Sequence, residues 1–133
     1  MAEEIQIQEV ISFLKDRGYE IEWESSKVVF KKGIKITLDK INNEIEIVKG
    51  FPFKTTKHFP FDQINHIELI STEKYGVATP FEDGYLEYVY SIKAFLHSGK
   101  VIALFNFVDR DPEIEKLLKS LVSFIRSEFI EGV

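Results

Sequence analysis

Three histidines are the first residues to test for chemistry: His58, His66 and His97. None stands in an HxH or HExxH spacing, so the sequence lines up no pair of imidazoles for a metal. Cysteine is absent, which removes thiolate ligands, cysteine nucleophiles and disulfides together. Ser98-Gly99 lacks the following helix that a nucleophile elbow requires. The glycines at 33, 50, 76, 84 and 99 are scattered and suit turns, not a phosphate loop. Glu82-Asp83-Gly84 lacks calcium-loop spacing. Asp109, Asp111 and Glu113 precede an amphipathic stretch and are accounted for by helix capping. No paired carboxylates are marked for acid–base work. The expectation is therefore a chain with no catalytic residue, no metal ligand set and no cofactor.

Charge carries more information. The formal net charge is −5, which argues against a general nucleic-acid binder. Its distribution is uneven. Residues 1–25 hold Lys15 and Arg17 against seven acids. Residues 26–58 hold eight lysines against Asp39, Glu44 and Glu46. The remainder is acidic again. The middle segment is the one place where an anionic partner would be drawn. No arginine occurs in 26–58, so bidentate phosphate recognition is not on offer there. The alternative explanation for these lysines is the solvated face of exposed strands, where they also guard edges against aggregation.

The elements that must position these residues follow from periodicity. Ile5 to Arg17 reads as a short helix with Ile7, Val10, Ile11 and Leu14 on one stripe and Gly18 as its stop, packed on the outside of the domain. Tyr19, Ile21 and Trp23 alternate with Glu20, Glu22 and Glu24, a half-buried strand. Trp23 is expected to anchor this strand to the rest. Residues 27–32, 34–39 and 44–48 read as further strands, the last two forming a hairpin about Asn42-Asn43. An aromatic and basic loop from Gly50 leads to a short strand near Thr55 to Phe59. A strand follows from Asn65 to Ser71, then a long loop from Thr72 to Gly84. Tyr85 to His97 is the longest strand, with Leu86, Tyr88, Tyr90, Ile92, Ala94 and Leu96 on one face. It turns at Ser98-Gly99 into Lys100 to Val108, apolar on both faces and hence expected to be central or covered. The chain ends in its clearest helix. Asp111 and Pro112 suit the start, and Ile114, Leu117, Leu118, Leu121, Val122, Ile125 and Phe129 step by three and four.

The whole is a single α+β domain over 1–133: a helix, about seven antiparallel strands and a long terminal helix. Twelve phenylalanines and five tyrosines supply its core. The acidic start, Met1-Ala2-Glu3-Glu4, has no apolar region after it, and no run approaches the ~18 apolar residues of a membrane span. A soluble cytoplasmic protein is the expectation.

This order resembles the pleckstrin-homology-like (PH-like) superfamily, in particular uncharacterised bacterial members. Phe59-Pro60-Phe61-Asp62-Gln63-Ile64-Asn65-His66-Ile67-Glu68-Leu69 is similar to the turn by which those proteins enter a mid-sheet strand. The hairpin 91–107 followed by Asp111–Phe129 is similar to their last strand pair and capping helix. The resemblance covers roughly 27–130 and leaves 1–26 as an N-terminal addition. It implies a β-barrel or sandwich of about seven strands, closed at one corner by the helix. It further implies a binding scaffold for lipids, peptides or proteins, without catalysis. In lipid-binding members a basic loop between the first two strands grips head groups, and Lys31-Lys32-Gly33-Ile34-Lys35 sits near that place.

Three functions stand open on this basis. The leading expectation is a non-catalytic module for protein–protein interaction or self-association, from its aromatic richness, exposed strand edges and lack of catalytic signature. The second is peripheral binding to anionic lipid through Lys31, Lys32, Lys35, Lys54 and Lys57. The third is a small-molecule pocket under the Thr72–Gly84 loop. The ligand, the partner, the pathway, the oligomeric state and the grouping of the lysines are not written in the sequence.

Overall fold

The computed structural model describes residues 6–50, 52–76, 78, 80 and 83–130. Two antiparallel sheets face each other. The first takes β1 (Glu20–Trp23), β2 (Lys27–Lys32), β3 (Ile34–Asp39), β4 (Glu44–Lys49) and β5 (Thr55–Pro60), in chain order. The second takes β6 (Ile64–Gly76), β7 (Tyr85–Leu96) and β8 (Val101–Asp109), also in chain order. A single 3₁₀ turn at Phe61–Gln63 carries the chain from one sheet to the other. It is pinned by Phe61 N–H donating to Asn43 O at 2.8 Å and His97 N–H donating to Gln63 O at 3.0 Å. Among the described residues no ladder joins the sheets. The architecture is α+β, with two packed sheets in place of a closed barrel.

Alternation builds the inner face of the first sheet, although Val29 and Thr37 on the outer face are buried as well. Phe30, Ile36 and Ile47 stand in one cross-strand row, and Val28, Leu38, Ile45 and Phe59 in the next. All seven are buried and face the second sheet. Phe30 meets Phe105 of β8 edge to face at 5.2 Å. Burying rings and branched chains on both inner faces is the main stabilising term.

Helix α1 (Ile7–Asp16) ends as its composition dictates. Gly18 adopts φ 94°, and its N–H and that of Tyr19 return to Lys15 O and Leu14 O. Its stripe does not lie outside the domain, as the sequence suggested. Val10 and Leu14 are fully buried, and Phe13 packs on Phe107 at 5.9 Å. The narrow stripe suffices because α1 sits where α2 and β8 meet, and Arg17 closes the seam with an ion pair to Asp109.

Helix α2 (Ile114–Ile125) runs on as a π-helical segment, Arg126–Ile130. Asp111 Oδ1 accepts the Glu113 N–H at 2.9 Å, so the expected capping residue works one turn ahead of the regular helix. Leu118, Leu121, Val122, Ile125 and Phe129 are buried. Phe129 reaches Phe61, and the Trp23 ring meets that of Phe124 at a tilt, 4.7 Å between centres. Trp23 thus ties β1 to the helix. The helix closes the end of the first sheet where β1, β3 and β5 finish.

Two further expectations are corrected. The loop from Thr72 is shorter, because β6 runs to Gly76 and pairs residue by residue with β7 down to Gly76–Tyr85. Its polar run Thr72-Glu73-Lys74 is an exposed strand end. Gly76 is a strand residue lying under the Tyr85 ring, where a Cβ would collide. Glu82, in the proposed acidic tip, lies outside the described residues. The second correction is β8, which is an edge strand. Val101 and Val108 are exposed, whereas Leu104, Phe105 and Phe107 are buried. Its double apolar character arises partly from a bulge opposite Ile92/Lys93, which turns successive residues inward.

Among the described residues no helix is long and apolar enough to cross a membrane.

A candidate anion-binding end opposite the helix

The ends of the first sheet differ. The β2–β3 turn and the β4–β5 loop lie together at the end away from α2. The β2–β3 turn needs Gly33, whose φ is 74°. Lys32 pairs with Ile34, Ile34 with Lys49, and Lys49 with Thr55 across the strand tips. Phe53, in the loop after β4, is 80% exposed, and Ile34 is 42% exposed. Large apolar side chains therefore project where the lysines gather.

The structure separates the five lysines singled out from sequence. Lys31 and Lys35 stand directly opposite each other on the outer face of β2 and β3. They share a shallow depression of about 160 Å³ with Glu20, Glu22 and Val29. Lys32 turns to the other side, its ammonium 5.3 Å from the Tyr19 ring centre. Lys54 is exposed in the β4–β5 loop. Lys57, itself exposed, stands on the inner face and lines a groove between the sheets.

That groove is the feature sequence reasoning missed. It has a volume of about 350 Å³. Its apolar walls come from β3, β4, β5 and β8, and include Ile34, Ile47, Phe59, Val101 and Leu104. Lys49, Lys57 and Lys100 are its charged lining residues, and among the described residues no acid joins them. Lys100 also lies over the Phe59 ring at 5.4 Å. Lys49 belongs to the basic segment, and its inward face follows from counting alternation on from Ile45 and Ile47. Lys100 belongs to a distant hairpin, and no local signal brings it here.

Seven lysines (31, 32, 35, 49, 54, 57 and 100) thus surround this end. Like charges directly opposite on paired strands are destabilising, as for Lys31 and Lys35. Glu20, directly opposite Lys31 on β1, offsets part of that repulsion. Lysine offers compact point charges on flexible stems, which suits attraction to a charged surface more than recognition of one phosphate geometry. The chain matches no family model, no curated protein and no solved structure.

Proposed function

We propose that this protein is a non-catalytic binding module of PH-like architecture that docks its helix-distal end on an anionic lipid surface. The observation that carries this reading is the juxtaposition of exposed Phe53 and Ile34 with Lys49, Lys57 and Lys100 around one groove. An apolar tip inserts among acyl chains while the ammonium groups meet head groups. Each lysine near such a surface contributes about 1 kcal/mol, so several acting together give reversible binding that salt weakens.

The PH-like part of the proposal is supported by element order. Without α1 and β1, a four-strand meander, a three-strand meander and a terminal helix remain. Fold analogy does not assign a ligand, so the lipid reading stands on the charged end itself.

Sedimentation with vesicles tests it. Binding to vesicles containing phosphatidylserine and none to phosphatidylcholine alone is expected, with loss as salt rises. Equal partition to both would remove the proposal.

Self-association is a second reading, favoured by one observation. The β8 edge presents exposed Val101 and Val108, and an open edge can pair with a second copy. Sizing chromatography with light scattering decides it: a monomer at all micromolar concentrations ends this reading.

A further inference from the structure

We propose that Glu44, Glu46 and His58 form a binding site for a zinc-type divalent transition-metal ion. The site lies on the outer face of β4 and β5, near the end that α2 closes. It therefore stands independently of the lipid-docking reading.

Strand register builds the cluster. Glu46 is directly opposite His58, and Glu44 opposite Pro60, two places further along the same face. Six consecutive pairs hold the two strands together, from Glu44–Pro60 to Lys49–Thr55. His58 Nδ1 contacts Glu44 Oε2 and lies 3.8 Å from Glu46 Oε2. One donor atom from each of the three residues falls within 4.8 Å of the other two. The carboxylate side chains are only 22% and 34% exposed, while the imidazole at 52% leaves one side open to solvent.

The donor set selects the ion. One imidazole and two carboxylates suit a borderline cation such as zinc or cobalt. Calcium takes six to eight oxygens, and magnesium keeps most of its waters. Three protein ligands with a water in the fourth position is the open tetrahedral arrangement of zinc. With zinc–ligand distances near 2.0–2.1 Å, the donors in such a site stand roughly 3.3 Å apart. The observed cluster needs side-chain adjustments alone to reach this.

Charge around the cluster points the same way. Asp39 pairs with Glu44 across β3–β4, and Lys27 pairs with Asp39 in turn. Asp39, Glu44 and Glu46 therefore bring three carboxylates to this corner of the sheet, with Lys27 the cross-strand neighbour of Asp39. A divalent ion balances that surplus.

Calorimetric titration of the chelator-treated full chain with zinc chloride tests the site, with cobalt absorption as a second probe. The expected result is one ion per chain. His58→Ala and Glu44→Gln should each weaken binding at least about tenfold, since even indirect supports of a metal site cost that much. His66→Ala is the control, because its imidazole has a carboxylate partner in Glu68 at 3.4 Å and stands apart from the cluster. Circular dichroism checks that each variant is folded, and Glu44→Gln carries the test if His58→Ala is not. Absence of stoichiometric binding by the unmodified chain overturns the proposal. So does a folded His58→Ala or Glu44→Gln variant that binds as well as the unmodified chain.

Discussion

Asp39 shows how much one side chain can organise. Its Oδ1 accepts the N–H groups of Ile41 at 2.8 Å and Asn42 at 3.2 Å, and its Oδ2 accepts from the Asn42 amide at 2.8 Å. Asn43 completes the turn at φ 52°, a conformation asparagine tolerates. Partial burial pushes the Asp39 carboxyl up, but the bonds from Asn42 and Ile41 and the charge of Lys27 outweigh this and lower it below its ordinary 3.8. A lowered carboxyl stabilises the fold fully above its unfolded value and loses that contribution as pH falls through the lowered one. Stability should therefore decline below about pH 4 partly through this turn, and less steeply in Asp39→Asn. Urea unfolding across that range checks the difference. At neutral pH, Asp39→Ala should cost about 1 kcal/mol, the usual value of such a capping interaction. A second residue-scale prediction concerns Lys35, directly opposite Lys31. Lys35→Glu should weaken vesicle binding while changing folding stability by less than about 0.5 kcal/mol, since attraction to Lys31 is set against repulsion from Glu20 and Glu22 in the same depression. Urea titration and sedimentation of the same variant read both effects.

At the scale of elements, the helices and the hairpin at 34–48 were legible because their cues are local. Gly18 and Asp111 mark helix ends, and Asn42-Asn43 marks a turn. The three-and-four spacing of α2 names its buried face correctly. The misses were non-local. A strand apolar on both faces reads as central or covered; β8 is an edge strand, not central, covered at Leu104, Phe105 and Phe107 but open at Val101 and Val108, and its bulge redirects its side chains. Thr72-Glu73-Lys74 reads as loop because no apolar alternation marks it, yet β7 supplies its hydrogen bonds. Helix α1 reads as peripheral from a narrow stripe, yet Val10 and Leu14 are wholly enclosed. Leu14→Ala should accordingly cost about 2–5 kcal/mol, as core leucines do. An exposed decoration would cost less than 1. Chemical denaturation distinguishes the two.

At the scale of the molecule, the fold has two unlike ends. One is sealed by aromatic contacts from α2: Trp23 with Phe124, and Phe61 with Phe129. The other is rimmed by lysines, with Phe53 and Ile34 exposed. The basic stretch was visible in the sequence as a block of charge. Its division was not, because strand alternation sends Lys31 and Lys35 outward and Lys57 inward, and because Lys100 arrives from the opposite sheet. The cluster of Glu44, Glu46 and His58 was hidden for the same reason: its members meet only through the register of β4 and β5. The most direct measurement of the lipid-docking claim is sedimentation with phosphatidylserine vesicles at low salt, comparing the unmodified chain with Lys49→Glu/Lys57→Glu. Loss of binding in the folded double variant, with the unmodified chain bound and released by salt, is the predicted result. Undiminished binding by that variant would contradict it.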